Sequence, residues 1–240
     1  MNATIIKLAA IAAMVFTPVL AMAQWKVGVE GGVVINTMLV SKCYDYDRHY
    51  TGGTNGIIGI PIRYDFRDWF GLQAEVSYLT KDYSMYRSDI YKGNYYSYTN
   101  SYINIPIYAR FSFGGPKVRG YLLAGGFLGA WLDSYVEGYQ MRYFLTEDFS
   151  YSAYHFDEKV PFDSRRDNRF DAGVSGAIGV EYQFAKRFSV FVEGRYLYSL
   201  TDMQKEYMMR QPSKHNSTFA FQTGFIYYYC PLKFFEQLKN

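Results

Sequence analysis

The feature that most limits what this chain can become is an alternation of side chains with a period of two, repeated along much of its length. A β-strand points successive residues to opposite faces, so strict alternation marks a strand with one apolar and one polar side. In 55–66, Ile58, Ile60, Ile62, Tyr64 and Phe66 share one face, and Gly59, Pro61, Arg63 and Asp65 share the other. Residues 70–80 set Leu72, Ala74, Val76 and Tyr78 against Gln73, Glu75 and Ser77, and 102–113 set Ile103, Ile105 and Ile107 against Asn104, Pro106 and Arg110. The pattern recurs in 25–36, 170–184, 188–200 and 217–229. Outside these stretches no apolar run reaches the roughly 18 residues that a membrane-spanning helix requires.

An eighth stretch, 118–132, carries apolar residues on both faces. Tyr121 and Trp131 are ten positions apart. In a strand tilted near 40° that is about 25 Å, the separation of two aromatic girdles. This spacing points Tyr121, Leu123, Phe127 and Trp131 outward, with Leu122, Ala124 and Leu128 on the opposite face. Eight strands result, an even number.

Residues 1–23 read as a cleaved secretory leader. Lys7 supplies the positive end, Leu8 to Phe16 the short apolar region, and Ala21-Met22-Ala23 the small-residue cleavage site, leaving Gln24 first in the mature chain. Residues 24–229 would then form the barrel, and 230–240 a short periplasmic tail whose Leu232, Phe234, Phe235 and Leu238 suit an interfacial segment. With 25 basic against 22 acidic side chains the composition excludes a strongly basic nucleic-acid binder. The 26 Tyr and 19 Phe exclude a disordered chain, and two cysteines exclude a disulfide scaffold.

The connections separate a membrane barrel from a soluble one. Segments 67–69, 114–117 and 185–187 are tight turns, while 37–54, 81–101, 133–169 and 201–216 are long. Short turns at one end and long loops at the other are the mark of an outer-membrane barrel, with turns in the periplasm. A lipocalin-like barrel also alternates, but points its apolar face inward. Aromatics gather at strand ends here, as in Phe66, Trp69 and Phe70 or Phe184 and Phe188, where membrane girdles belong. Hydrocarbon offers no hydrogen-bond partner, so a sheet crosses it only when closed. The expected fold is therefore an all-β, eight-stranded antiparallel transmembrane β-barrel, with outer-membrane lipid as its surroundings.

Tyr102-Ile-Asn-Ile-Pro-Ile-Tyr-Ala-Arg110, Gly120-Tyr-Leu-Leu-Ala-Gly-Gly126, Phe170 to Tyr182, Val192 to Tyr196 and Lys26 to Gly32 resemble the outer membrane protein beta-barrel domain family, including its PorT-like, porin-family members. The resemblance covers essentially the whole chain after the leader. It implies location in the outer membrane of a diderm (Gram-negative) bacterium and names no substrate. One branch of the family is tied to type IX protein secretion, which implies an alternative role inside a secretion or uptake assembly. The chain departs from the common barrel ending, because Cys230 to Asn240 follow the aromatic Tyr229.

With this register the inward charges are Glu30, Arg63, Asp65, Glu75, Arg110, Glu181, Glu193 and Arg195. An eight-stranded interior is just wide enough for side chains to fill, so these charges are expected to pair across the lumen. A narrow solute conduit lined by them is the competing reading. His49, His155 and His215 fall in three different long loops without ligand spacing, and read as solvated residues. His49 with Asp45 or Asp47, and His155 with Asp157 and Ser152, are the only candidates for hydrolytic chemistry, and their spacing singles out neither. Asp45-Tyr-Asp47 and Asp157-Glu158 lack the order of a calcium loop. No catalytic, cofactor or metal residues are assigned. Cys43 and Cys230 fall on opposite sides of the wall and are expected to stay unpaired.

The long loops are rich in tyrosine, which gives broad amphipathic contact area at low entropic cost. The same residues fit strands that run on past the membrane with their rings packed together or forming the outer girdle. Loop 133–169 is the first candidate for a partner contact, through Tyr143, Tyr151, Tyr154, Arg165, Arg166 and Arg169. The function expected is a non-catalytic, porin-like surface protein that binds or scaffolds through these loops, possible partners being other envelope or secretion proteins.

Overall fold

The computed structural model describes residues 24–41, 47–141, 153–206 and 212–229. The leader, Cys43, Cys230, the tail, Asp45, Tyr143, Tyr151 and Ser152 lie outside the described residues. The strands are β1 (Gln24–Val40), β2 (Arg48–Asp65), β3 (Phe70–Thr80), β4 (Tyr83–Arg87), β5 (Tyr95–Gly114), β6 (Val118–Met141), β7 (Ala153–Lys159), β8 (Phe170–Ala185), β9 (Phe188–Ser199) and β10 (Lys214–Tyr229). Eight of them close a ring in the order β1-β2-β3-β5-β6-β8-β9-β10, and β10 returns to β1 by antiparallel pairing from Trp25–Tyr229 to Val40–Lys214. Closure leaves no membrane-embedded edge, as hydrocarbon demands. β4 continues β3 between the same neighbours, β2 and β5, after an interruption at Lys81 and Asp82. β7 likewise lies above β8 on the same flank of β6.

Orientation of the two faces decides between a membrane barrel and a soluble carrier. Ile60, Val76, Ile105 and Val192 are 52, 52, 45 and 47% exposed, whereas Glu75 and Arg195 are 1% exposed. The apolar row points away from the axis on all eight strands of the ring. It ends below in a girdle where Trp25 meets Tyr64 edge-on, Phe66 stacks on Phe70 and Phe188 packs on Tyr227. The hairpin turn after β5 depends on Gly114, whose φ of 120° lies in the left-handed region and whose missing Cβ would sit 2.8 Å from the Val118 carbonyl oxygen.

In β6 the structure reverses the face expected for 118–132. Tyr121, Leu123, Phe127 and Trp131 are buried in the lumen, while Leu122, Ala124 and Leu128 face lipid. Cross-strand partners share a face, and the partners explain the choice. Leu122 pairs with the lipid-exposed Ile178, whereas Tyr121 pairs with Gly179 and Phe127 with Gly173. A Cβ on Gly179 would lie 2.4 Å from the Tyr121 ring, and one on Gly173 would lie 2.8 Å from that of Phe127. Phe191 of β9 covers Gly224 of β10 in the same manner. Large rings thus enter a narrow lumen where the facing strand has no side chain. Trp131 is followed by a bulge: Tyr102 pairs with Trp131 and Ser101 with Asp133, so Leu132 is unmatched. Beyond it the inward residues of β6 shift from odd to even positions, Ser134 and Val136.

Much of what reads as long loop is strand. β5 begins at Tyr95, β6 runs to Met141, and β4 and β7 are wholly new. These extensions mix Tyr, Ser, Thr, Gly and charged residues on their outer face instead of a continuous apolar row, because that face lies outside the lipid. Together β2, β4, β5, β6 and β7 form a tall half-wall above the bilayer. On the other flank β8 and β9 stop at Phe170 and Ser199.

Candidate functional site

Every charge assigned to the lumen points inward, and the structure sorts them into two clusters. Near the periplasmic mouth, Glu181 on β8 accepts from Arg63 of β2 at 3.0 Å and from Arg110 of β5 at 2.7 Å, with Ser189 donating to its other oxygen at 2.6 Å. Asp65 stands at the rim, 2.7 Å from Lys26. The Arg110 guanidinium lies over the Tyr121 ring, 3.7 Å from its centroid. Higher up, Arg195 of β9 is held by three carboxylates: Glu75 at 2.8 Å, Glu193 at 2.7 Å and Glu30 at 3.5 Å. Tyr121 donates to Glu193 and Gln222 to Glu30. Arginine suits this position because its planar fork meets several carboxylates at once.

A third buried pair, Lys81 with Asp171 at 2.6 Å, was not assigned from the pattern. Its signal was partial: the parity of β8 turns Asp171 inward, but Lys81 sits in the interruption after β3. Above it apolar side chains fill much of the lumen, with the buried amides of Asn36, Asn100 and Asn216 among them. Val34, Met38, Leu79, Tyr83, Tyr102, Trp131 and Met203 pack together, and Phe162 from the β7–β8 connection meets Trp131 edge-on at 4.9 Å. Two arginines of the proposed contact loop brace this cap. Arg169 donates to the Trp131 carbonyl and lies over Phe162, while Arg166 pairs with Asp167 at 2.7 Å. Burial opposes ionisation of Asp167, but the Arg166 guanidinium and the Asp163 N–H hold its carboxyl below the usual range. Tyr154 and Arg165 are exposed.

The histidines lie apart. His49 and His155 occupy opposite margins of the half-wall, four inter-strand gaps or about 19 Å from each other. His49 bonds Ser88 at 3.2 Å, and the Asp89 carboxylate lies 3.5 Å from that serine. A hydrolytic triad needs the acid on the second imidazole nitrogen, not on the serine. His155 faces Glu137 at 3.8 Å and Tyr139 edge-on. His215 stacks on Tyr198. Among the described residues no three His, Cys, Asp or Glu side chains gather as a metal site.

The half-wall presents its own ordered surface. On β5 the outward apolar row ends at Ile103, and Ser101, Thr99, Ser97 and Tyr95 continue the same face upward. Register aligns Tyr95 with Tyr86 and His49 on one side and with Tyr139 and His155 on the other.

A closed ring with a greasy exterior, a charge-paired lumen and short turns opposite tall strands defines an outer-membrane β-barrel. The model of the family described as outer membrane protein beta-barrel domain matches residues 20–205. This chain belongs to that family and resides in the outer membrane of a Gram-negative bacterium. No curated protein matches the chain. Among solved structures it resembles the outer membrane protein OprG of Pseudomonas aeruginosa, with 10% identity over 85% of this chain and 95% of that one and a TM-score of 0.50. It also resembles the outer membrane protease OmpT of Escherichia coli, with 10% identity, 86% and 97% coverage and a TM-score of 0.49. Neisserial surface protein A shares 14% identity over 85% of this chain and 97% of that one, with a TM-score of 0.43. The likeness to OprG speaks to the fold and not to activity.

Proposed function

We propose that the protein is a closed, non-conducting and non-catalytic barrel that binds or scaffolds at the cell surface through its tyrosine-rich half-wall. The observation that carries this reading is the filled lumen. Arg195 and its three carboxylates cross the axis, the Arg63–Arg110–Glu181 cluster lies below them, and an apolar cap lies above. An ion needs a continuous wet path, and eight-stranded barrels leave little room for one. Purified protein in planar bilayers is therefore expected to give no discrete conductance steps. Reproducible steps would return the narrow solute conduit to first place.

A second reading, a subunit of a PorT-like secretion or uptake assembly, is favoured by one observation. Among the described residues β7 pairs only with β6, so its other edge can accept a strand from a partner protein. Photo-crosslinkers at Tyr154 and His155 in living cells test it: a discrete protein adduct supports an assembly, and an uncrosslinked barrel favours a solitary one.

A further inference from the structure

Five aromatic rings cross the outer face of the half-wall in one row: His49, Tyr86, Tyr95, Tyr139 and His155, each on a different strand and paired with the next. The three tyrosines are 43, 40 and 49% exposed. The ends are held, because His49 stacks on Tyr86 at 5.0 Å and His155 meets Tyr139 at 5.0 Å. Two positions lower on the strands runs a polar row, Thr51, Ser84, Ser97, Glu137 and Asp157. Ser84 bonds both Ser97 and the Tyr95 hydroxyl.

Height decides what this row is. An interfacial girdle sits at the level of the lipid headgroups. Tyr95 lies eight residues above Ile103, the last apolar outward residue of β5. At about 3.3 Å per residue and a tilt near 40°, the row stands roughly 20 Å above the hydrocarbon, too high for a girdle. It also faces sideways, on the same side of the wall as Ile103 and Ile105, and not into the mouth of the barrel. A neighbour that rises from the leaflet beside the barrel reaches this face, and on the outer side of this membrane the leaflet carries the sugar of the surrounding glycolipid.

The chemistry fits that neighbour. Aromatic faces stack on the C–H faces of pyranose rings, and hydroxyls with carboxylates bond their equatorial hydroxyl groups. A rigid sheet about 19 Å wide holds both rows without an ordering cost. We propose that the Tyr86–Tyr95–Tyr139 row, with the Ser84–Ser97–Glu137 row beneath it, is a docking surface for the saccharide of adjacent outer-leaflet lipopolysaccharide. This rests on the surface-binding reading above and gives it a ligand class.

The test uses the full-length protein refolded in detergent and three soluble probes: deacylated core oligosaccharide from lipopolysaccharide, dextran, and monodisperse lipid A lacking core sugar. Calorimetry should show binding of the oligosaccharide, weakened about tenfold or more in Y86A/Y95A/Y139A and changed less than about threefold in Y86F/Y95F/Y139F, which keep the rings. Heat-modifiable gel mobility establishes that each variant is folded. An oligosaccharide that fails to bind, or binds the alanine variant equally, overturns the proposal, as does equal binding of dextran or binding of lipid A alone. These failures leave the surface-binding reading intact if bilayers stay silent, whereas conductance steps would remove that parent reading itself.

Discussion

Replacing Arg195 by Met tests whether the lumen is dry. In the folded barrel Glu30, Glu75 and Glu193 are all buried, and each lies within 3.5 Å of the guanidinium. Methionine keeps much of the side-chain volume but removes every donor. Breaking a buried ion pair from one side costs about 3–5 kcal/mol, because the abandoned carboxylate keeps its desolvation and loses its partner. Glu75 and Glu193 both lie within 2.8 Å of this one cation, so R195M should fall in the upper part of that range, a change of roughly a thousandfold or more in the unfolding equilibrium. Urea titration in phospholipid vesicles, followed by tryptophan emission from Trp25, Trp69 and Trp131, measures it directly. The quadruple variant R195M/E30Q/E75Q/E193Q removes the uncompensated charge and should recover more than half of the loss. A cost below about 1 kcal/mol for R195M would mean that water screens the carboxylates. The filled-lumen argument would then fail, and with it the case against conduction.

Gly179→Val should cost about 1–3 kcal/mol in the same titration, because its side chain would occupy the space of the Tyr121 ring and pull the phenol from Glu193; a neutral result would show that the ring has another place to go. Asp167 makes the cap acid-sensitive. Its carboxyl is held below the ordinary value of 3.8, so its stabilisation is present above that pH and is lost as pH falls through the lower folded value. Amide exchange at Asn168 and Lys205, corrected for intrinsic rate, should therefore stay flat from pH 7 to about 4 and rise below it, while D167N should exchange fast throughout. Intact mass of the membrane-extracted protein should correspond to a chain starting at Gln24, and a mass including residues 1–23 would refute cleavage after Ala23.

The parts of the barrel that touch lipid were legible because a solvent boundary writes itself as alternation. Ile58, Ile60 and Ile62, or Phe219, Phe221 and Phe225, cannot face anything but hydrocarbon once Arg63 and Gln222 lie between or beside them. The lumen charges followed from the same parity. Parity failed in 118–132, where both faces are apolar and the aromatic spacing imitated two girdles. The deciding information lay on the neighbouring strands, in Gly173 and Gly179, and required the pairing register. The half-wall was illegible for a different reason: its outer face meets no hydrocarbon, and Ser, Thr and Tyr stand on both faces, so little contrast marks the strand. The outward ring row depends on five strands meeting in register, which no single segment of sequence records.

The unequal height of the two flanks gives the molecule a compass direction within the plane of the envelope. A cylinder of uniform rim can be approached from any azimuth, but here one side is a parapet of β4 to β7, while on the opposite side strands β8 and β9 end at Phe170 and Ser199. Large neighbours, whether sugar chains or other barrels, meet a shield from one bearing and a low threshold from the other, so clusters containing this protein should have preferred orientations rather than random rotation about the membrane normal.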